Sequence, residues 1–200
     1  MKIISWDIGI INLAYCIMDC QIENDVEKIN ILKWDSIDIR EPNHPKKKNV
    51  TKISEILVKK VSSDPELLNV DYVLIENQPC MKNPVMKSIQ MILYTLYIMC
   101  KNGKYIINDI SNEINIIKQI HLISASNKLK VYDGPKIELT CKSSYTRRKK
   151  LSILHTQYLL KDNEEKLKYL NNHKKKDDLC DTYLQALYFV KNKKKFKYQY

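Results

Sequence analysis

Met1-Lys2-Ile3-Ile4-Ser5-Trp6-Asp7-Ile8-Gly9 opens the chain, and its reading decides the fold. Ile4, Trp6 and Ile8 alternate with Lys2, Ser5 and Asp7, the period of a β-strand, and an acid stands where the strand runs out before Gly9. Two further β-rich runs follow, Asn12 to Asp19 and Ile29 to Asp38, separated by polar breaks. Three sequential strands with short connections predict an antiparallel meander. Lys46 to Leu57, or a little beyond, then reads as a helix with Ile53, Ile56 and Leu57 inward, and Asp64-Pro65 marks its exit. The run Val70-Asp71-Tyr72-Val73-Leu74-Ile75 is a strand buried on both faces, and it too ends on an acid, Glu76.

The next helix carries its own punctuation: Asn83 caps, Pro84 takes the first helical position and Gly103 lies just past the end. Val85, Ile89, Ile92, Leu96 and Met99 form one apolar stripe, which Met86, Leu93, Tyr97 and Cys100 widen beyond the face a surface helix needs. Such a helix is either deep in the core or packed on the sheet by one stripe and on a partner subunit by the other. Tyr105 to Gln119 reads as loose or helical, Ile120 to Ala125 as a core strand that Lys128 to Val131 continues, and Asp133-Gly134-Pro135 as a turn. Ser143 or Ser144 caps a helix through about Leu160, a polar stretch follows, and the last helix starts near Asp177 with Leu179, Tyr183, Ala186 and Val190 inward. With no repeat and no linker, a single domain over residues 1–190 is expected, followed by a flexible basic tail over residues 191–200.

A 44% apolar fraction in 200 residues is enough for a real core. The formal charge is +11, and +10 of it lies from Cys141 onward, which suggests a polyanionic partner met by that part of the chain. The longest apolar run, Ile89 to Cys100, contains Gln90 and falls far short of the roughly 20 residues of a bilayer crossing, so no membrane span is expected. Six cysteines without a C-x-x-C pair indicate a reduced, intracellular protein. His44, His121, His155 and His173 are scattered, which argues against zinc.

Three acidic places stand out: Asp7, Glu76, and the cluster of Asp177, Asp178 and Asp181 opening the last helix. Each has a purely structural reading as well, as a turn, a strand terminus or a helix cap. Capping explains one aspartate of the cluster, not three. Asp178 and Asp181 are three apart, hence stacked on one helix face, and a cation between them would relieve their repulsion. Hard oxygen ligands suit Mg²⁺ or Mn²⁺.

This order of elements is that of an α/β, ribonuclease-H-like fold, a mixed five-stranded sheet of a three-strand antiparallel meander plus parallel strands, flanked by helices. Ser5-Trp6-Asp7-Ile8-Gly9 with Asn12, Ile75-Glu76-Asn77-Gln78-Pro79, and Lys175-Lys176-Asp177-Asp178-Leu179-Cys180-Asp181 together resemble the RuvC superfamily of Holliday junction resolvases, in its poxviral, iridoviral and fungal mitochondrial branch. The resemblance spans nearly the whole chain. It implies a Mg²⁺-dependent endodeoxyribonuclease with two ions per site, Mn²⁺ substituting, that makes paired symmetric nicks in four-way junctions and leaves 5′-phosphate and 3′-hydroxyl ends. Asp7, Glu76, Asp178 and Asp181 match the family's catalytic, metal-holding positions, and Asp177 either caps the helix or takes the place of Asp178. It also implies a homodimer through the Asn83 to Gly103 helix, since paired nicks need two sites at a fixed distance.

The basic residues then acquire a place. Arg147, Arg148, Lys149 and Lys150 open one helix and Lys174, Lys175 and Lys176 precede the late aspartates, so cations flank the point where a phosphate meets the acids. Gln78, Met81 and Lys82, just after Glu76, are candidates for contact with the strand-exchange point. A D-I-G-x-x-N start also resembles sugar kinases and actin-like ATPases, but three glycines cannot supply their nucleotide loops. Closer alternatives are a nuclease of this fold acting on RNA, flaps or forks, and a non-catalytic junction binder, against which retention of all four acids argues. No Arg-rich leader precedes the first strand at Lys2, which favours a viral protein of the host cytoplasm or viral replication site over an imported mitochondrial one.

Overall fold

The computed structural model describes residues 1–23, 26–43, 49–81, 83–103, 117–141 and 143–196. β1 (Lys2–Asp7), β2 (Leu13–Glu23) and β3 (Val26–Ile37) form the antiparallel meander, and β4 (Tyr72–Glu76) and β5 (Gln119–Ile123) run parallel to β1 in the order β3-β2-β1-β4-β5. The expected mixed five-stranded sheet is therefore present. β1 is central, and both of its faces are buried rather than one. Ile4 and Trp6 join one core cluster, while Ile3 joins the other and Ser5 is fully buried beside it. The turn after β1 closes only with glycine at position 9, where a Cβ would stand 2.2 Å from the Asn12 carbonyl oxygen.

On one face of the sheet lie α1 (Val50–Ser62) and α3 (Pro84–Lys101), whose Ile53, Leu57, Ile89, Leu93 and Leu96 pack with Ile4, Trp6, Val73 and Ile75. A buried hydrogen-bond chain ties the layers together: Trp6 Nε1 donates to the Tyr97 hydroxyl at 3.0 Å, which donates to the Leu67 carbonyl at 2.8 Å. Asn49 caps α1 by accepting from the Thr51 and Lys52 amides; the predicted start at Lys46 lies outside the described residues. Asp64 does not simply end that helix, because it caps a further short one, α2 (Pro65–Leu68). The reading of α3 stands: Asn83 accepts from the Met86 amide, Pro84 is first, and Gly103 past the end adopts φ 67°. Tyr105 to Ile116 lie outside the described residues.

The other face carries α6 (Lys176–Lys191), with Leu179, Tyr183, Ala186 and Val190 buried as predicted, together with α4 (Ser144–Leu159) and α5 (Glu164–Asn172). Two expectations are corrected here, and a stretch read only as polar is a helix. Lys128 to Val131 does not extend a strand but belongs to a 3₁₀ helix, Ala125–Val131, which Ser124 starts by accepting from the Ser126 amide. The polar stretch after α4 is the helix α5, capped by Asn163 and held by the single buried residue Leu170. The tail is not free from Lys191 onward, because α7 (Lys193–Phe196) folds back and buries Phe196 against His121, Tyr188 and Phe189. Residues 197–200 lie outside the described residues. An Phe196→Ala variant is expected to lose about 3 kcal/mol of stability in denaturant titration, whereas a tail detached from the core would leave the midpoint unchanged.

Candidate active site

Strand periodicity places the acids. Ile3, Ser5 and Asp7 share the α6 face of β1, and Leu74 and Glu76 share that face of β4. Pairing of Trp6 with Ile75 brings Asp7 alongside Glu76 at the ends of adjacent parallel strands. On α6, Asp181 and Gln185 are four residues apart and lie on one face. Buried Gln185 donates from Nε2 to Ser5 Oγ at 3.0 Å and to the Trp6 carbonyl at 3.2 Å, which sets how far along β1 the helix sits. Trp34 adds a second tie from β3, donating to the Leu179 carbonyl at 2.9 Å. The result is a set of three carboxylates, Asp7, Glu76 and Asp181, whose oxygens lie within 4.8 Å of one another. Asp178, one turn earlier, lines the same cleft of about 580 Å³ without joining that closest set.

Three carboxylates this close need a counter-charge, and Lys128 supplies it. Its Nζ donates to Glu76 Oε2 at 2.9 Å and to Asp181 Oδ2 at 2.6 Å, with the lysine side chain only 9% exposed. Burial works against the ammonium, but Asp7, Asp181 and Glu76 outweigh it and hold its pKa above the ordinary lysine value. Burial, and next the charge of Glu76, push the Asp7 carboxyl well up. Burial also opposes the charge on Glu76, yet the hydrogen bond from Asp7 and the nearby Lys128 keep that carboxyl below its usual range. The contact between Asp7 and Glu76 thus favours the neutral form of Asp7 and the charged form of Glu76. Ser152 of α4 donates to Asp181 Oδ1 at 2.5 Å and orients it. Burial and the charge of Asp177 push Asp178 up to about 6. The donor set consists of hard carboxylate oxygens at a spot already occupied by a positive charge, so it fits a divalent cation.

Asp177 is neither the helix cap nor a member of the close set. Lys175 is the N-cap residue and makes no side-chain cap, while Asp177 sits in the first turn and pairs with Lys149 Nζ. Burial opposes its charge, but the Lys149 bond outweighs it and lowers its pKa. Of the basic candidates, Arg148 and Lys149 line the cleft; Arg147 and Lys150 are exposed on the same turn of α4 outside it, and Lys174, Lys175 and Lys176 flank the start of α6 without lining it. Gln78 lines the cleft, Met81 is 96% exposed on the loop, and Lys82 lies outside the described residues. This loop is anchored from α3: fully buried Gln90 accepts through Oε1 from the Gln78 amide at 2.7 Å and from Lys87 Nζ at 3.1 Å, and Lys87 reaches Asn77 Oδ1 at 3.1 Å. Sequence reasoning missed Lys128, Ser152, Gln90 and Tyr145, the last an exposed aromatic in the cleft wall. The available signal was Gln90, a polar residue inside an otherwise apolar helix face.

The order and pairing of these elements form a ribonuclease-H-like fold, and comparison with solved structures finds the same fold in several Holliday junction resolvases. The chain is similar to the fowlpox virus resolvase solved with its substrate Holliday junction DNA (TM-score 0.55, 21% identity, 96% of this chain and 97% of that one). It is also similar to the yeast mitochondrial Holliday junction resolvase Ydc2 (TM-score 0.56, 20% identity, 97% and 85%) and to Thermus thermophilus RuvC (TM-score 0.56, 12% identity, 96% and 96%). No family model matches the sequence. Among curated proteins, the uncharacterized protein L451 of Acanthamoeba polyphaga mimivirus is 38% identical over 136 residues, 66% of this chain. The chain spans about a third of that relative's length, 31%.

A Lys128→Met variant keeps the apolar stem and removes the charge. In the presence of a chelator it should lose about 3 kcal/mol in denaturant titration, and added divalent cation should stabilise it more than it does the parent chain. Equal stability of the two proteins in chelator would contradict the counter-charge role.

Proposed function

We propose that the chain is a Holliday junction resolvase, a structure-selective endodeoxyribonuclease that nicks four-way junctions in symmetric pairs. The observation that carries this reading is the convergence of Asp7, Glu76 and Asp181, with Asp178 in the same cleft, on a fold shared over 96% of the chain with a resolvase solved on its junction. Asp7, Glu76, Asp178 and Asp181 would hold two Mg²⁺ ions, for which Mn²⁺ would substitute. Such ions would supply activation of a water and neutralisation of charge on the leaving 3′ oxygen, chemistry that leaves 5′-phosphate and 3′-hydroxyl ends. The chain's own residues do the rest. Asp7, in the close set with Glu76 and Asp181, would hold metal together with them, and Ser152 keeps the Asp181 carboxylate oriented. Lys128 exchanges its carboxylate partners for a non-bridging oxygen of the scissile phosphate. Arg148 and Lys149 on the cleft wall, backed by Arg147, Lys150 and Lys174 to Lys176, hold neighbouring phosphates. Gln78 and Met81, on the loop clamped by Gln90, face the exchange point.

Two copies act together. Met91 and Met99 of α3 stand 41% and 39% exposed outside its buried Ile89, Leu93 and Leu96, two apolar side chains that fit an isologous two-fold interface. The mimivirus relative supports a viral origin and hence action where viral DNA is replicated, separating recombined or concatemeric genomes. Among the described residues no helix is long and apolar enough to cross a membrane.

With Mg²⁺, the purified chain is expected to convert a mobile four-way junction into symmetrically nicked duplexes and to leave a linear duplex and an RNA/DNA hybrid intact. Asp7→Asn and Asp181→Asn should each abolish cutting yet retain junction binding; preferential cutting of the hybrid would assign a ribonuclease instead. Sedimentation at micromolar concentration should give twice the 23.7 kDa chain mass, and a monomer would remove α3 as the dimer face.

A further inference from the structure

Asp177, Lys149 and Tyr145 form a chain of contacts on the wall of the cleft. Lys149 Nζ pairs with Asp177 and lies 5.1 Å from the centroid of the Tyr145 ring. That ring belongs to no core cluster: Tyr145 is 60% exposed, yet it lines the same cleft as Asp7 and Asp178. An aromatic left in water gains nothing from folding, and this one is oriented by a cation rather than by packing. Lys149 is itself held by Asp177, so the ring stands at a defined position relative to the acids.

The cleft holds more than phosphate chemistry requires. Hydrolysis of a backbone needs carboxylates and cations, but Ile8, Ala125 and Leu129 add an apolar wall to a volume of about 580 Å³, within the range of small-ligand sites. That combination suits a whole nucleotide with its base drawn out of the stack. A phosphate on Lys149 leaves the base of its own or the adjoining nucleotide within reach of the Tyr145 ring, because an ammonium-to-ring distance of 5.1 Å is covered by a single nucleotide. The exchange point of a four-way junction is where duplex DNA most readily releases a base.

We propose that Tyr145 is the stacking platform for an unpaired nucleobase beside the scissile phosphate, and that the Asp177–Lys149 pair holds its ring for that contact. This rests on the resolvase reading and adds to it a base-binding subsite that decides where along a mobile junction the nick falls. Stacking tolerates every base, so the subsite selects for an unstacked nucleotide more than for a particular letter.

The test is a double-mutant cycle between protein and DNA. Tyr145→Ala should lower kcat/KM on an intact junction about tenfold, while Tyr145→Phe and Tyr145→Trp retain it. An abasic substitution at one nucleotide flanking the nick should cost the parent chain the same factor, and Tyr145→Ala should then lose nothing further on that abasic junction. In an Asp7→Asn background, which binds without cutting, a 2-aminopurine at that nucleotide should change fluorescence on binding with Tyr145 present and not with alanine. Losses that multiply at every flanking position, or a Tyr145→Ala variant that cuts as the parent does, would overturn the subsite while leaving the resolvase reading intact. A parent chain that cuts no junction would instead bring down the reading on which it rests.

Discussion

Three carboxylates within 4.8 Å of one another, on the edge of a core, are the costliest feature of this fold, and much of the architecture keeps them together. Left alone, the charges of Asp7, Glu76 and Asp181 would repel one another. Lys128 offsets that repulsion from a 3₁₀ helix immediately beyond β5, the strand next to the one bearing Glu76. The parallel pairing of β1 with β4 sets two acids side by side, and Gln185 fixes α6 against β1 so that the third arrives at the same point. The three carboxylates are thereby kept together around an internal cation.

The sheet divides the labour between its faces. One side carries the candidate site: α6 brings the aspartates, α4 brings Ser152, Arg148 and Lys149, and the core beneath them is closed by residues as late as Phe196. The other side supplies rigidity: the chain from Trp6 through Tyr97 to Leu67 binds α3 to β1 and to α2. Gln90 connects the two functions, because it sits on that second side yet grips the loop that follows Glu76. A helix of the opposite layer therefore positions a segment at the mouth of the cleft.

Sequence patterns with strong punctuation were readable. Alternation in β1, the doubly apolar β4 and the Asn83-Pro84 to Gly103 frame of α3 each combine a period with a stop signal, and each element lies where those signals put it. Weaker signals misled. Lys128 to Val131 alternates like a strand, but Ser124 at its start accepts from the Ser126 amide and turns the chain into a 3₁₀ helix instead. α5 has only Leu167 and Leu170 to mark an inner face, and its polar sequence resembles a loop. In the tail Phe196 stands directly after three lysines, and its burial depends on the aromatic pocket of His121, Tyr188 and Phe189.

The amino-acid sequence by itself determined the element order and the identity of the acids, because strand and helix periods are local and because an acid at the end of an apolar strand is conspicuous in one dimension. Only the tertiary structure decided which charges meet. Lys128 and Lys130 are equivalent on paper, yet one is enclosed by Glu76 and Asp181 while the other reaches Asn127. Asp177 and Asp178 are neighbours, yet one is drawn to Lys149 and the other faces the cleft with its pKa raised. Electrostatic partnership is a matter of distance and burial, and both arise from packing α4, α6 and the 3₁₀ helix over one face of the sheet, contacts made between residues far apart along the chain.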